Sequence, residues 1–494
     1  MRFFRSLQFW ALVIFGPLAL TWLRMALIYA VTPIYIDHNE SSMVVTAQQW
    51  LYGRPLYHAI DGPYLYSLLQ GPFDYLWLAL ALKLCPDPIL ASKLSGGFWS
   101  LSSLALLLVI YWRKAGPILA IAGVGLVAGE LMMDLLTPFW DRPDPILIFS
   151  SSLGLAALNM QNRSLGSVLL VLAVALAVNC KIHGPLYLLP PLAVWYWRYG
   201  VRSILFILGI VGLLAVIPFL LPGVSITNYF LWLRLGAHHP WTTDLFCENL
   251  ETVLVMVLPL VLFWRHPRLK LRWRDTSEET ILLFSFVLAG VLISFPASKV
   301  GAGWHHLLPL AVFPGYLFCD LWASTPTFVK LNWAVGVVLV WAFFTYRLVI
   351  QNSSYILWSI QTFPVELIQA DLRQILQHYP ATETQMGVGR GPGYISTFYS
   401  PWIYREGTPC VIHIGAYMDM KESGLGAQSL QKSLTTEQFT YWVIPRDGPP
   451  FTMVSWYDSG ALFDDSVRQA FTRHYVLVAS SPYFDIYRAN SRER

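Results

Sequence analysis

Apolar runs long enough to cross a bilayer recur through the first 350 residues, and they constrain the fold more than any other feature of the chain. A membrane helix needs about 20 mostly apolar residues. Runs near 8–31, 88–112, 117–137, 145–160, 165–180, 184–198, 203–222, 248–264, 280–296, 305–322 and 329–350 read as spans, about eleven in all, two of them short. Charged residues make up 13 % of the 494, against about 25 % in a soluble domain, so lipid is the expected solvent. The 21 tryptophans and 25 tyrosines suit rings held at headgroup depth. The first run is too long for a signal-peptide core, contains Arg24 and lacks a small-residue cleavage site, so it reads as a retained span.

The charges between the runs set an orientation, because loops rich in Lys and Arg stay cytoplasmic. With Arg2 and Arg5 inside, the inner loops hold Arg113, Lys114, Arg163, Arg198, Arg202, a basic run (Arg265, Arg268, Lys270, Arg272, Arg274) and Lys330. The opposite side receives 32–87, 138–144, 181–183, 223–247 and 297–304, with Asp37, Glu40, Asp61, Asp74, Asp87, Asp141, Asp144 and Asp244. The alternation keeps its phase throughout, which places the N-terminus in the cytoplasm and the C-terminus outside. The expected fold is an all-α polytopic membrane protein of about eleven transmembrane helices with a small C-terminal α/β extracytoplasmic domain. Residues 1–350 form the membrane domain, with a long first outer loop at 32–87, and 360–494 the outer domain. In the latter, "PVELIQADLRQILQHY" has helical spacing, while "CVIHIGAYMDM", "FTYWVIPRDGPP" and "HYVLVASSPYFDIYRAN" read as strands. The segment "GVGRGPGYIS" lacks the spacing and lysine of a phosphate loop and reads as tight turns. The net charge of +4 is too weak to indicate nucleic acid, and five scattered cysteines indicate neither structural zinc nor a disulfide framework.

Polar groups concentrate on the outer loops. Asp37 and Glu40 stand one helical turn apart, sharing a face if the segment is helical. A carboxylate at the mouth of a partly dehydrated cavity can act as a general base. Equally, Asp37 can simply cap a surface helix. The rest of the first outer loop, including Tyr64, suits helices lying along the membrane surface and holding a lipid-linked substrate. In "DRPDP", Asp141, Arg142 and Asp144 either reach a site, where carboxylates could ligate a divalent ion, or form an interfacial turn. Glu130 and Asp134 are either functional or a buried pair with Arg24. Lys181, His183, Lys299, His305 and His306 sit at span ends, where cations suit a phosphate, though a lysine there can also snorkel. Adjacent histidines point to different faces of a helix, so one of His305 and His306 is expected to face the cavity and the other to pack. These acidic and basic groups are expected to converge at one rim of the bilayer.

Together these residues resemble the GT-C superfamily of glycosyltransferases, most nearly the protein-mannosyltransferase and aminoarabinose-transferase branch, glycosyltransferase family 39 and its bacterial relatives. The acidic pair after the first span of that branch is matched by Asp37 and Glu40, with two extra residues between them. Its "PPLYY" segment is matched by "GPYLYSLL" at 62–69, and its R-P-D by Arg142, Pro143 and Asp144. Its K-G-P turn is matched by Lys181, Gly184 and Pro185 with an insertion, and a basic segment before "LLPL" by Lys299 to Leu310. The pattern covers roughly residues 8–320. The resemblance implies a multi-pass enzyme of the bacterial inner membrane that moves a sugar, with inversion, from a polyprenyl-phosphate donor to a lipid, glycan or protein acceptor. It makes Asp37 or Glu40 the catalytic base. It assigns Arg142, Asp144, Lys181, His183, Lys299, His305, His306 and Tyr64 to lipid phosphate or sugar. A divalent ion (Mg, Mn or Ca) is compatible with it and no cofactor is required. Two rivals are a secondary transporter, which usually shows repeated halves and mid-membrane charges, and a non-catalytic membrane scaffold.

Overall fold

The computed structural model describes residues 2–67, 69–134, 138–263, 277–324, 332–390, 394–455, 457 and 459–493. The basic run, Lys330 and residues 391–393 of the glycine-rich segment lie outside the described residues. In chain order the helices are α1 (Arg2–Val31), α2 (His38–Leu51), α3 (Pro72–Leu84), α4 (Pro88–Ala115), α5 (Pro117–Leu131), α6 (Pro143–Leu158), α7 (Arg163–Cys180), α8 (Leu189–Val216) and α9 (Ile226–Gly236). They continue as α10 (Thr243–Val257), α11 (Glu278–Ala297), α12 (Val312–Ala323), α13 (Asn332–Thr362), α14 (Val365–His378), α15 (Tyr394–Tyr404), α16 (Ile414–Lys421), α17 (Gln428–Thr435) and α18 (Asp465–His474). Four strands, β1 (Thr384–Met386), β2 (Tyr441–Pro445), β3 (Tyr475–Ser480) and β4 (Phe484–Ala489), lie near the C-terminus. The packing divides the chain into two compact units.

The first unit comprises Met1–Val31, Lys93–Ile217 and Trp241–Trp358. Among the described residues of the chain, eight helical runs are long and apolar enough to cross a membrane. Two shorter apolar helices, Pro117–Leu131 and Pro143–Leu158, fall on expected spans. The longest run, Gly184–Leu220, covers two expected spans, and it is broken at Gly200, whose φ of 75° and ψ of 178° lie outside the helical region. Only glycine adopts that conformation readily, so the break is written into the sequence. Inside the unit α1 packs on α5, α6 on α7, α8 on α7 and α11, and α12 on α5. Large apolar side chains point away from it, Leu20 at 71 % and Leu213 at 72 % exposed, as a lipid surround requires. Two cations of the basic loops tie helix ends together: Lys114 Nζ lies 3.0 Å from Asp320, and Arg198 pairs with Glu278.

The second unit comprises Thr32–Ser92, Pro218–Pro240 and Ser359–Arg494. The units change between Trp358 and Ser359, and the first loop joins residues 359–494 in one core. Its sheet has the order β1-β2-β4-β3, with β1 parallel to β2 and the other pairs antiparallel. Helix α2 is not the surface helix the sequence suggests. Every residue from Glu40 to Gln49 is buried, and its polar side chains find backbone partners. Gln48 Nε2 donates to the Pro401 carbonyl (3.1 Å), Gln49 Nε2 to Thr408 (3.0 Å), and Thr46 Oγ1 to Tyr66 (2.9 Å). The expected strand at 410–420 is also corrected. Only Ile412 makes a bridge, to Leu65, and Ile414–Lys421 is helical. A short apolar run buried on all sides carries no periodicity to tell helix from strand, and residues Ile414 to Met418 are all buried.

His58 ties the first loop together. Its Nδ1–H donates to the Ala59 carbonyl (2.9 Å), while Nε2 accepts from the backbone N–H of Tyr66 (3.2 Å) and Ser67 (3.3 Å). Burial holds its pKa down to about 4, from 6.5. The unfolded chain therefore binds a proton that the folded one refuses between pH 6.5 and 4, and stability present above pH 6.5 is lost as pH falls through that window. The slope approaches about 1.4 kcal/mol per pH unit. Thermal unfolding of a His58→Gln variant is expected to fall less steeply with pH there than that of the wild type; parallel curves would show that His58 does not titrate with unfolding.

Candidate functional site

In the first unit a group of charges and rings gathers where α6 begins and α7 ends. Helices α6 and α7 pack against each other and a four-residue connection joins them, so these termini lie at one end. Asp144 lies in the first turn of α6, after Pro143 at its start, and is completely buried. Lys181 caps the other helix and donates from Nζ to Asp144 Oδ1 (2.8 Å) and to His306 Nδ1 (2.9 Å). Arg142 Nε lies 3.8 Å from the other Asp144 oxygen, and its guanidinium sits 4.1 Å from the centroid of the Trp140 ring. The tryptophan face attracts the cation and holds it in place. His183 is neutral, because burial and the Lys181 charge lower its pKa to about 3, so Lys181 and Arg142 are the cations that face Asp144.

Local sequence explains this arrangement. Lys181 has extended backbone (φ −145°, ψ 140°), so α7 stops there and the side chain leaves the helix barrel. The chain then folds back so tightly that a Cβ on Gly184 would come within 1.9 Å of the Ala177 carbonyl oxygen, and only glycine fits. The following turn places Tyr187, whose hydroxyl donates to the His306 carbonyl (2.7 Å). His305 and His306 begin a 3-10 segment, Trp304–Leu310, with ring centroids 4.4 Å apart. The expectation that they point to different faces is therefore corrected: their rings lie together, His306 on Lys181 and His305 edge-on to Trp140 at 5.9 Å. His183 completes the row, 6.0 Å from His306. Lys299 lies in the turn before them, its backbone bridged to Trp241, and partial burial lowers its pKa.

The remaining candidates belong to the second unit. Asp37 is the N-cap of α2, its Oδ1 accepting from the Asn39 N–H at 2.9 Å, and Oδ2 lies 3.7 Å from His38 Nδ1. The Asp37 side chain stays 19 % exposed, whereas Glu40, one turn on, is fully buried. The Tyr64 ring lies tilted beside that of Tyr66, with centroids 5.8 Å apart. Behind the first turn of α2, His413 lies between Ser42 Oγ (2.9 Å) and Ser400 Oγ (3.0 Å). Elsewhere, the alternative of a buried pair between Arg24 and Glu130 or Asp134 is not found among the described residues. Arg24 is exposed, and among the described residues the buried Glu130 carboxylate has no hydrogen-bond partner. No group of three or more His, Cys, Asp or Glu among the described residues is placed to hold a metal ion.

No protein-family model matches the sequence, and no curated protein matches it. Solved structures do. ArnT from Cupriavidus metallidurans bound to undecaprenyl phosphate superposes over 97 % of this chain and 97 % of its own, with a TM-score of 0.56 at 14 % identity. The same enzyme in its apo state covers 98 % of both chains with a TM-score of 0.54 at 14 % identity. The chain therefore shares the fold of these two ArnT structures. The Archaeoglobus fulgidus oligosaccharyltransferase in complex with zinc and sulfate gives a lower TM-score of 0.46 at 12 % identity over 97 % of this chain and 73 % of that one.

Sequence reasoning missed several residues that pack against these candidate groups. Trp140 packs on the Arg142 guanidinium and Tyr187 donates to the His306 carbonyl, and nothing in their sequence context marks them. Lys93 was legible. A single lysine in an otherwise apolar run of α4, it is buried and donates to the Tyr29 carbonyl (3.0 Å) with its ammonium 3.9 Å from the Tyr29 ring centroid. A lone charge in a span signals such a partner.

Proposed function

We propose that this chain is a glycosyltransferase that takes a sugar from a polyprenyl-phosphate donor at the non-cytosolic face of a bacterial inner membrane. The observation that carries the reading is the Asp144–Lys181–His306 cluster with Arg142 on Trp140. It holds two buried cations, Lys181 and Arg142, fixed at a helix end, and such cations suit a phosphate. The undecaprenyl phosphate bound to the ArnT structure of the same fold supports a lipid phosphate as the occupant. In this reading Lys181 and Arg142 take up charge on the phosphate as it departs. The sugar passes through an oxocarbenium-like state and inverts. Asp37 removes the proton of the acceptor hydroxyl. It is the better candidate because Glu40 is sealed from solvent. Lys181 is positioned by Asp144 and His306, so the cation does not have to be ordered when the lipid arrives.

Binding of undecaprenyl phosphate to the purified protein, read by native mass spectrometry, tests this. Wild type is expected to bind, and Arg142→Ala to weaken binding about ten-fold or more, the usual worth of a charged hydrogen bond. Absence of binding, or unchanged affinity in the variant, would remove the cluster from the function. A transporter reading rests on one specific observation, the buried Glu130 carboxylate of α5, which has no hydrogen-bond partner among the described residues; it requires ion-dependent binding of a water-soluble solute that Glu130→Gln abolishes.

A further inference from the structure

The second unit contains a groove that the transfer chemistry does not use. It lies between the C-terminal half of α14 with the turn that follows and the turn after α15, and encloses about 500 Å³. That is within the usual range of small-ligand sites. Arg373 from α14 and Arg405 from the second turn both face Trp402, each guanidinium 5.3 Å from the ring centroid. Two cations are thereby held against one indole. Among the described residues Arg373 has no acidic partner, and its side chain donates only to Gln369 Oε1, at 3.5 Å. Arg405 pairs with its neighbour Glu406 (3.0 Å), but the two side chains are 42 % and 55 % exposed. An exposed pair of this kind contributes little and is easily exchanged for another anion.

The walls are fixed before any ligand arrives. Thr408 Oγ1 donates to the Ala381 carbonyl and so joins the two rims. Gln49 Nε2 donates to Thr408 O (3.0 Å) and Arg54 Nη2 to Gly407 O (2.7 Å), while the Tyr52 hydroxyl donates to Arg405 O. The turn carrying one cation is therefore fastened to α2 and the residues just beyond it, and α2 lies in the core of the unit. Preorganisation of this kind lowers the entropy lost on binding. In the lining, Leu376 and Trp402 offer an apolar surface, and Gln377 and Thr382 offer neutral hydrogen-bonding groups.

A bare anion would not need the apolar surface and the amide, and a neutral sugar would not need two guanidinium forks. A sugar ring with an acidic substituent uses all three: C–H faces on the apolar surface, hydroxyls on Gln377 and Thr382, and the acid on the planar forks that match carboxylate and phosphate. We propose that this groove binds an anionic carbohydrate, through a carboxylate or a phosphate on the sugar. The proposal does not rest on the transfer reading, and its readout is binding alone.

Isothermal titration of the full-length protein in nanodiscs of zwitterionic lipid tests it with four probes: trigalacturonate, glucose 6-phosphate, maltotriose and inorganic phosphate. At least one of the first two is expected to bind about ten-fold or more tightly than both of the last two, and which one binds identifies the acid. The double variant Arg373→Gln, Arg405→Gln is expected to lose about ten-fold or more of that affinity. Glu406→Gln removes the competing carboxylate, so it is expected to tighten binding; it keeps the test valid should the double variant unfold. No binding of either acidic sugar overturns the proposal. So does equal binding of maltotriose or phosphate, unchanged affinity in the double variant, or weaker binding after Glu406→Gln.

Discussion

Asparagine in place of Asp37 is expected to cut release of polyprenyl phosphate from a polyprenyl-phosphate sugar by about 10²–10⁴-fold, the usual contribution of a positioned general base, with thermal unfolding unchanged. The separation of chemistry from folding follows from geometry. Asp37 Oδ1 accepts from the Asn39 N–H at the start of α2, and asparagine caps a helix as well as aspartate does. The first turn also keeps its other supports, with Ser42 held by His413 and by the His38 carbonyl. Asp37→Ala, by contrast, removes the cap as well and is expected to cost about 1 kcal/mol in addition. If Asp37 only caps, the pattern reverses: the alanine variant loses stability, and the asparagine variant turns over like the wild type. Glu40→Gln is the control for the other carboxylate. Loss of turnover there, with Asp37→Asn active, would move the base to Glu40 by way of a cavity that the burial of Glu40 does not show.

The membrane helices were legible because their signal is bulk composition. Each apolar run maps to a helix, and even the break at Gly200 falls between two runs read as separate spans. Helix α14 and strands β2, β3 and β4 were legible from periodicity and turn residues. What could not be read is what depends on residues distant in sequence. Nothing near "HNESSMVVTAQQW" says that it is a buried helix; its serines, threonine and glutamines look like a surface until Pro401, Thr408 and Cys410 supply partners some 350 residues away. The same holds for the candidate site. Arg142, Asp144, Lys181 and His306 could be nominated by type and place. That the His305 and His306 rings lie side by side depends on the 3-10 segment they occupy, which no spacing rule distinguishes from a helix.

Lys181→Met is expected to destabilise the membrane unit strongly. It leaves Asp144, fully buried, without the ammonium 2.8 Å away, and removing one partner of a buried ion pair costs about 3–5 kcal/mol. Arg142, 3.8 Å from the other oxygen, offsets part of that cost, so the lower end of the range is expected. The double variant Asp144→Asn, Lys181→Met deletes both charges at once. Because the penalty comes from the stranded charge rather than from the lost attraction, the double variant should recover most of the stability, with a coupling of about 1–3 kcal/mol in a double-mutant cycle. Lipid-phosphate binding should not recover with it, since neither methionine nor asparagine supplies a cation. Thermal unfolding and undecaprenyl phosphate binding measured on the same four proteins separate the two roles. If binding returned together with stability, Lys181 would be a strut for α6 and α7, and the phosphate would have to be sought at another group of cations; if neither returned, the Asp144–Lys181 pair would not be the independent unit that its 2.8 Å contact describes.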